Sequence, residues 1–168
     1  SIKYMANGSV LFTDLVVQPC SGHASNCDII RAKKLFASFD KKSLFLLKPN
    51  LKTIDVNDFL FNAVYDVDTN WSNLSRLKIK PSGGKLHKAP DIHLGSGMLQ
   101  YVKIMNGQEE VALSVPVDAD FKADDVMRKR YTFNITTATM SSGYGLSKLQ
   151  GIWEPGDLTV TGGVASLS

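Results

Sequence analysis

Apolar and polar residues alternate with a period of two along most of this chain, and that habit limits what it can fold into. Successive side chains of a strand point to opposite faces, so alternation gives one apolar and one polar face, which only a sheet satisfies. Ser9 to Gln18 reads as a first strand with Val10, Phe12 and Val16 on one face. Val111, Leu113, Val115 and Val117 alternate, as do Tyr131, Phe133 and Ile135, and then Leu158 and Val160. Leu99, Tyr101, Lys103 and Met105 fall on the face opposite Val102 and Ile104, and Leu77 and Ile79 alternate with Arg76, Lys78 and Lys80. Leu44 to Lys48 and Phe59 to Val67 are compact apolar runs rich in Phe and Val.

Turn chemistry separates these runs at Pro81-Ser82-Gly83-Gly84, Gly95-Ser96-Gly97, Asn106-Gly107, Ser141-Ser142-Gly143 and Pro155-Gly156. Asn106-Gly107 is the strongest hairpin signal, because both residues tolerate the positive φ of a tight primed turn. Helix signals are few. Ile30 to Phe39 has some helical character, and Ala119 to Lys129 has more, with Asp120, Asp124 and Asp125 early and Arg128 and Lys129 late, as the helix dipole prefers. Seven to nine short strands with one or two short helices predict an all-β, antiparallel sandwich. At 168 residues, with no repeat and no linker, the chain reads as a single domain over 1–168.

Composition narrows the function classes. Apolar residues make up 43% of the chain, which argues against disorder. A mean hydropathy of -0.06, with no apolar run near the roughly 18 residues of a spanning helix, predicts no membrane insertion. A formal charge of +3 is too mild to imply a nucleic-acid partner. The charge is uneven, with seven basic and two acidic residues from Asp28 to Lys52 and six acidic and one basic from Glu109 to Asp125. Two solvated faces account for that, as does head-to-tail contact between copies. The first residues carry neither an initiator Met nor a signal-peptide pattern, which fits a processed or a trimmed chain.

The search for reactive groups returns little. Cys20 and Cys27 flank a turn-rich stretch, and three readings fit them: free thiols, a local disulfide that pins a loop, and a metal site with His23. The metal site lacks a fourth ligand, and the disulfide is the preferred expectation. His87 and His93, with Asp91 between them, would bind metal only in a loop folded back on itself. Asp66 to Asn70 matches the first half of a calcium loop, but Trp71 and Leu77 stand where Gly and Glu are required. Asp118 and Asp120 point to one side of a strand and read as a solvated pair. Asn-x-Ser/Thr triplets begin at Asn7, Asn70, Asn73 and Asn134, which chance accounts for. No nucleophile elbow or phosphate-cradling loop is present, so neither an enzyme nor a cofactor is expected.

Arg130-Tyr-Thr-Phe-Asn-Ile-Thr136, the loop from Ser141 to Gly145, and the stretch from Gly151 through Trp153 to Val160 resemble the last two strands of chaperone–usher pilus subunits. Ser9 to Phe12 and Val16 to Cys20 are similar to the opening strand of pilins of the common-pilus type. Two features differ from that pattern: Cys27 follows Cys20 by only seven positions, and few residues precede Ser9. The resemblance implies an incomplete immunoglobulin-like sandwich, carried through the periplasm to the bacterial cell surface. Its partners would be a periplasmic chaperone, other pilus subunits and a host glycan or protein receptor. Leu158 and Val160 would then wall a groove filled by a strand of another chain.

Two other classes share the β-rich pattern. A virion or phage structural protein would assemble without a chaperone and keep both cysteines reduced. A carbohydrate-binding module would use Trp71, Tyr144 and Trp153 to stack on sugar rings.

Overall fold

A computed structural model of the chain describes residues 1–6, 8–18, 28–45, 49–74, 89–124, 130–137, 147–154 and 157–164. The expected all-β, mostly antiparallel architecture with a short helix is present. The first half is a meander of β1 (Ile2–Tyr4), β2 (Ser9–Val17), β3 (Ile30–Phe39) and β4 (Leu51–Asp66), with α1 (Lys41–Phe45) between the last two. The two-residue β5 (Trp71–Ser72) folds back on the end of β4. The second half is a meander of β6 (Asp91–Met105), β7 (Gln108–Ala123), β8 (Tyr131–Thr137), β9 (Ser147–Glu154) and β10 (Asp157–Val164). A parallel ladder between β4 and β6 joins the halves, so the strand order is β1-β2-β3-β4-β6-β7-β8-β9-β10. The described strands form one sheet, a single layer of a sandwich-like arrangement.

Three local expectations are corrected. Ile30 to Phe39 is a strand, because it pairs with β2 on one side and β4 on the other, and tertiary pairing overrides its helical propensity. Ala119 to Ala123 belongs to β7, while 125–129 lie outside the described residues. The apolar run at Leu44 begins inside α1 instead of a strand. Asp40 starts that helix: its carboxylate accepts the Lys42 N–H at 3.2 Å and its carbonyl accepts the Ser43 hydroxyl at 2.6 Å. The Asn106-Gly107 hairpin is where alternation places it, with φ of 53° and 71° and Met105 opposite Gln108.

Residues directly opposite one another in a ladder share a face. Following the ladders across the sheet, Tyr4, Val10, Ala37, Ile54, Ile92, Phe121, Phe133, Gly151 and Val160 form one unbroken row. The next row on that face runs from Ile2 through Phe12, Leu35, Val56, Leu94, Ala119 and Ile135 to Leu149. Neither row holds a charged or amide side chain. The row between them faces the other way and is polar over its second half: Asp55, His93, Asp120, Asn134 and Gln150.

Strict alternation does not survive the length of the strands. Asp14, Asp58 and Ser96 take positive φ of 57°, 54° and 53° in β2, β4 and β6. Beside Ser96, β6 advances from Leu94 to Gly97 while β7 advances only from Ala119 to Val117. The extra residue is a bulge that switches which residues face the apolar side. Leu15 and Val17 join the apolar face by this crease, while Val16 is turned out and exposed, contrary to its expected place beside Val10 and Phe12. A second bulge, where Tyr101 and Val102 oppose Leu113 and Val111, puts those two β7 residues on opposite faces. Glycine is needed where rings cross the sheet, since a Cβ on Gly97 would lie 2.0 Å from the Phe59 ring and one on Gly151 would lie 2.5 Å from that of Phe133.

β3 ends alongside Phe61, leaving the rest of β4 short of a neighbour on that side. Asn73, with no exposed surface, fills the gap as a strand would. Its Oδ1 accepts the Val64 N–H at 2.9 Å and its Nδ2 donates to the Asn62 carbonyl at 2.8 Å. Burial also removes Asn73 as a glycan acceptor in the folded chain. Asn73→Ala strands two buried backbone groups, so chemical denaturation is expected to show a loss of about 2–4 kcal/mol.

Candidate functional site

Three surfaces stand out: the free strand edges, an aromatic hollow on the apolar face, and the polar ladder on the other.

Both ends of the strand order are free edges among the described residues. In β1, Ser1 and Thr13 exchange both backbone bonds, and the Met5 N–H donates to the Ser9 carbonyl. Alternation of antiparallel bonding therefore turns the N–H and C=O of Ile2 and Tyr4 away from β2. Their side chains are 60% and 80% exposed. At the other end, β10 pairs with β9 only. Leu158 and Val160, on the apolar face of β10, are 60% and 51% exposed, and Asp157 is its one charge. These are the residues expected to wall a groove. They lie on an outermost strand, where an added strand would extend the sheet.

A third edge lies inside the order. β8 pairs with β7 only from Val117 to Ala123, so the stretch from Gln108 to Pro116 has β6 alone as its ladder partner among the described residues. Glu109, Glu110, the bulge beside Val111 and the missing N–H of Pro116 blunt this edge against strand addition. β10 carries fewer of these devices, one charge at Asp157 and a bulge beyond Val160, and no proline.

On the apolar face, Ile92, Leu94, Phe121, Tyr131 and Trp153 line an open hollow of about 300 Å³. The Tyr131 and Trp153 rings lie 5.8 Å apart at 46°. Burial, with the Asp91 carboxylate nearby, pushes the Tyr131 hydroxyl to a higher pKa. Trp153 belongs to this hollow. Trp71 instead sits half-buried in β5, opposite Asp66, and Tyr144 lies outside the described residues. The hollow was not legible in the sequence, since it draws on four strands; the alternation of Tyr131 with Phe133 was its only local sign.

On the polar face, Asp120 Oδ1 lies 2.6 Å from His93 Nδ1. That hydrogen bond, with the charges of Asp120, Asp55 and Asp91, raises the pKa of His93 above the usual 6.5. Asp118 accepts the Ser96 N–H at 2.7 Å and so supports the crease. Asp91 accepts the Ala123 N–H at 2.9 Å. Asp91, Asp118 and Asp120 thus each have a structural bond. Asp66 likewise accepts the N–H groups of Asp68 and Thr69 within its own turn, the bland alternative to a calcium loop. Among the described residues no cluster of three or more His, Cys, Asp or Glu is placed to hold a metal ion.

Cys20, His23, Cys27 and His87 lie outside the described residues. The chain on either side of the cysteine stretch is joined: the Ile29 N–H donates to the Val17 carbonyl at 2.8 Å, and Gln18 Nε2 to Asp28 Oδ1 at 2.8 Å. Gln18 and Arg31 together hold the Asp28 carboxyl below its ordinary pKa.

The chain matches no protein-family model and no curated protein.

His93 gains its carboxylate partner on folding. Its small, half-exposed stabilisation is therefore complete below about pH 6.5 and fades as pH rises through the raised value. An NMR titration should place His93 above 6.5, and Asp120→Asn should bring it down towards that value; an unchanged midpoint would show that the pair does not form.

Proposed function

We propose that this chain is a non-catalytic structural subunit that assembles by strand addition at the free edge of β10. The observation that carries the reading is the contrast between edges: Gln108–Pro116 is blunted by charge, bulge and proline, whereas β10 offers Leu158 and Val160 with one charge. A bare edge beside exposed apolar side chains is a template for another strand. The specific form of the proposal is a subunit or adhesin of a bacterial surface pilus, held first by a periplasmic chaperone. A disulfide between Cys20 and Cys27 belongs with that oxidising route. A virion structural protein would use the same edge without export. The sugar-binding alternative gains less support, because the hollow at Tyr131 and Trp153 offers ring faces but is walled otherwise by Ile92, Leu94 and Phe121.

The test is a photo-crosslinking residue at Thr159, with one at Asn134 as control, in the producing cell. Mass spectrometry should place the Thr159 crosslinks on an extended, alternating segment of another chain. Leu158→Lys should abolish them while leaving the fold intact, since Leu158 is already exposed. Crosslinking at Thr159 no greater than at Asn134 contradicts the reading.

A further inference from the structure

We infer that copies of this chain join head to tail into one continuous sheet, with β1 of each copy pairing with β10 of the next. The inference rests on strand addition at β10 and names the partner as a second copy. That copy enters by a strand that keeps its own place beside β2.

The two edges match in direction and in bonding. The one parallel ladder sets β1 and β10 running in opposite directions. A copy laid beside another with the same face up therefore presents β1 antiparallel to β10. Ile2 and Tyr4 turn their backbone groups outward from β2. At the other edge, the Asp124 N–H donates to the Arg130 carbonyl at 2.9 Å. Alternation along the ladders then turns Lys122 to Thr132, Tyr131 and Phe133 to β9, and Ile152 and Glu154 to β10. Leu158 and Val160 are left facing the open edge. Two outward residues set opposite each other exchange both backbone bonds. All four lie on the apolar face, so the joint leaves that face unbroken.

The side chains choose the register. Among the described residues, five large apolar side chains are more than half exposed, and four of them are Ile2, Tyr4, Leu158 and Val160. Setting Tyr4 opposite Leu158 puts Ile2 opposite Val160 and stays short of the bulge in β10. On the other face, Lys3, the one charge of β1, then stands opposite Thr159 and diagonal to Asp157, the one charge of β10. Both charges are exposed. Pairing like edges forfeits this match. β1 on β1, with Ile2 opposite Tyr4, sets Lys3 against Lys3, and β10 on β10 gives Asp157 no base on the facing strand. Because each joint uses two different edges, one copy can hold a neighbour on both sides.

Disulfide trapping tests the joint. Lys3 and Thr159 would form a non-hydrogen-bonded pair, whose Cα atoms approach to about 4.5 Å, within disulfide reach. In a chain with Cys20 and Cys27 replaced by Ser, Lys3→Cys with Thr159→Cys should oxidise to a reducible ladder of dimers, trimers and longer chains. Each single variant should stay a monomer, and a mixture of the two should stop at a dimer. Tyr4→Pro removes an outward N–H and should abolish the ladder with an unchanged circular dichroism spectrum. In the chain with its own cysteines, Lys3→Glu should raise the dissociation constant seen by sedimentation about threefold, and Asp157→Lys in that same chain should restore it. A double variant without a ladder, a single variant that dimerises by itself, or an association indifferent to Tyr4→Pro or Lys3→Glu overturns the inference. If the cysteines stay unlinked while the photo-crosslinker at Thr159 captures a strand of another protein, the partner named here is wrong and strand addition at β10 stands. If neither links, both readings fall.

Discussion

The parallel ladder between β4 and β6 is the constraint on which the rest of the sheet depends. Each half of the chain is an antiparallel meander whose neighbours in space are neighbours in sequence, so local turns can build it. Among the described residues only β4 and β6 join the halves, with Thr53 opposite Asp91 at one end and Asp66 opposite Ile104 at the other. That register aligns Ile54 with Ile92 and Val56 with Leu94, which makes two apolar surfaces into one. A slip of one residue would set the apolar side of the first half against the polar side of the second. The parallel step also reverses the usual alternation, so that β1 and β10 run in opposite directions at the two edges.

The protein built on this ladder has its driving force for folding concentrated on one side. Small residues and glycine draw the strands together beneath the rings of Phe59 and Phe133, and those rings are buried within the layer itself. The polar side is stitched by short bonds such as His93 to Asp120 and Asp118 to Ser96, which orient the strands but bury little. A single layer can be ordered in this way and still leave its apolar side unfinished.

Much of this was legible from residue order. The hairpin at Asn106-Gly107 followed from two residues that accept positive φ, and the common face of Leu158 and Val160 followed from period two. The switch at the crease did not, because Asp14, Asp58 and Ser96 read as ordinary polar positions; only the ladders show that they line up across three strands. β3 misled because Arg31, Lys33 and Lys34 suit a helix as well as a strand, and its two neighbouring strands decide the matter. The meeting of β4 and β6 was hidden for a different reason. Turn chemistry reports which strands are adjacent in sequence, whereas a parallel partner lies across a long connection that no local signal describes. For the same reason the Tyr131 and Trp153 hollow, built from four strands, could not be assembled from any one of them.

The direct test of this account is the methyl NOE pattern between β4 and β6 in a sample with labelled Ile and Val. The parallel register brings Ile54 beside Ile92 and Val64 beside Val102. Cross-peaks within those two pairs, and none between Ile54 and Val102, are the predicted result. Contacts from Ile54 to Val102 and from Val64 to Ile92 would mean that the strands run antiparallel, and the continuous apolar face would fall with the ladder that creates it.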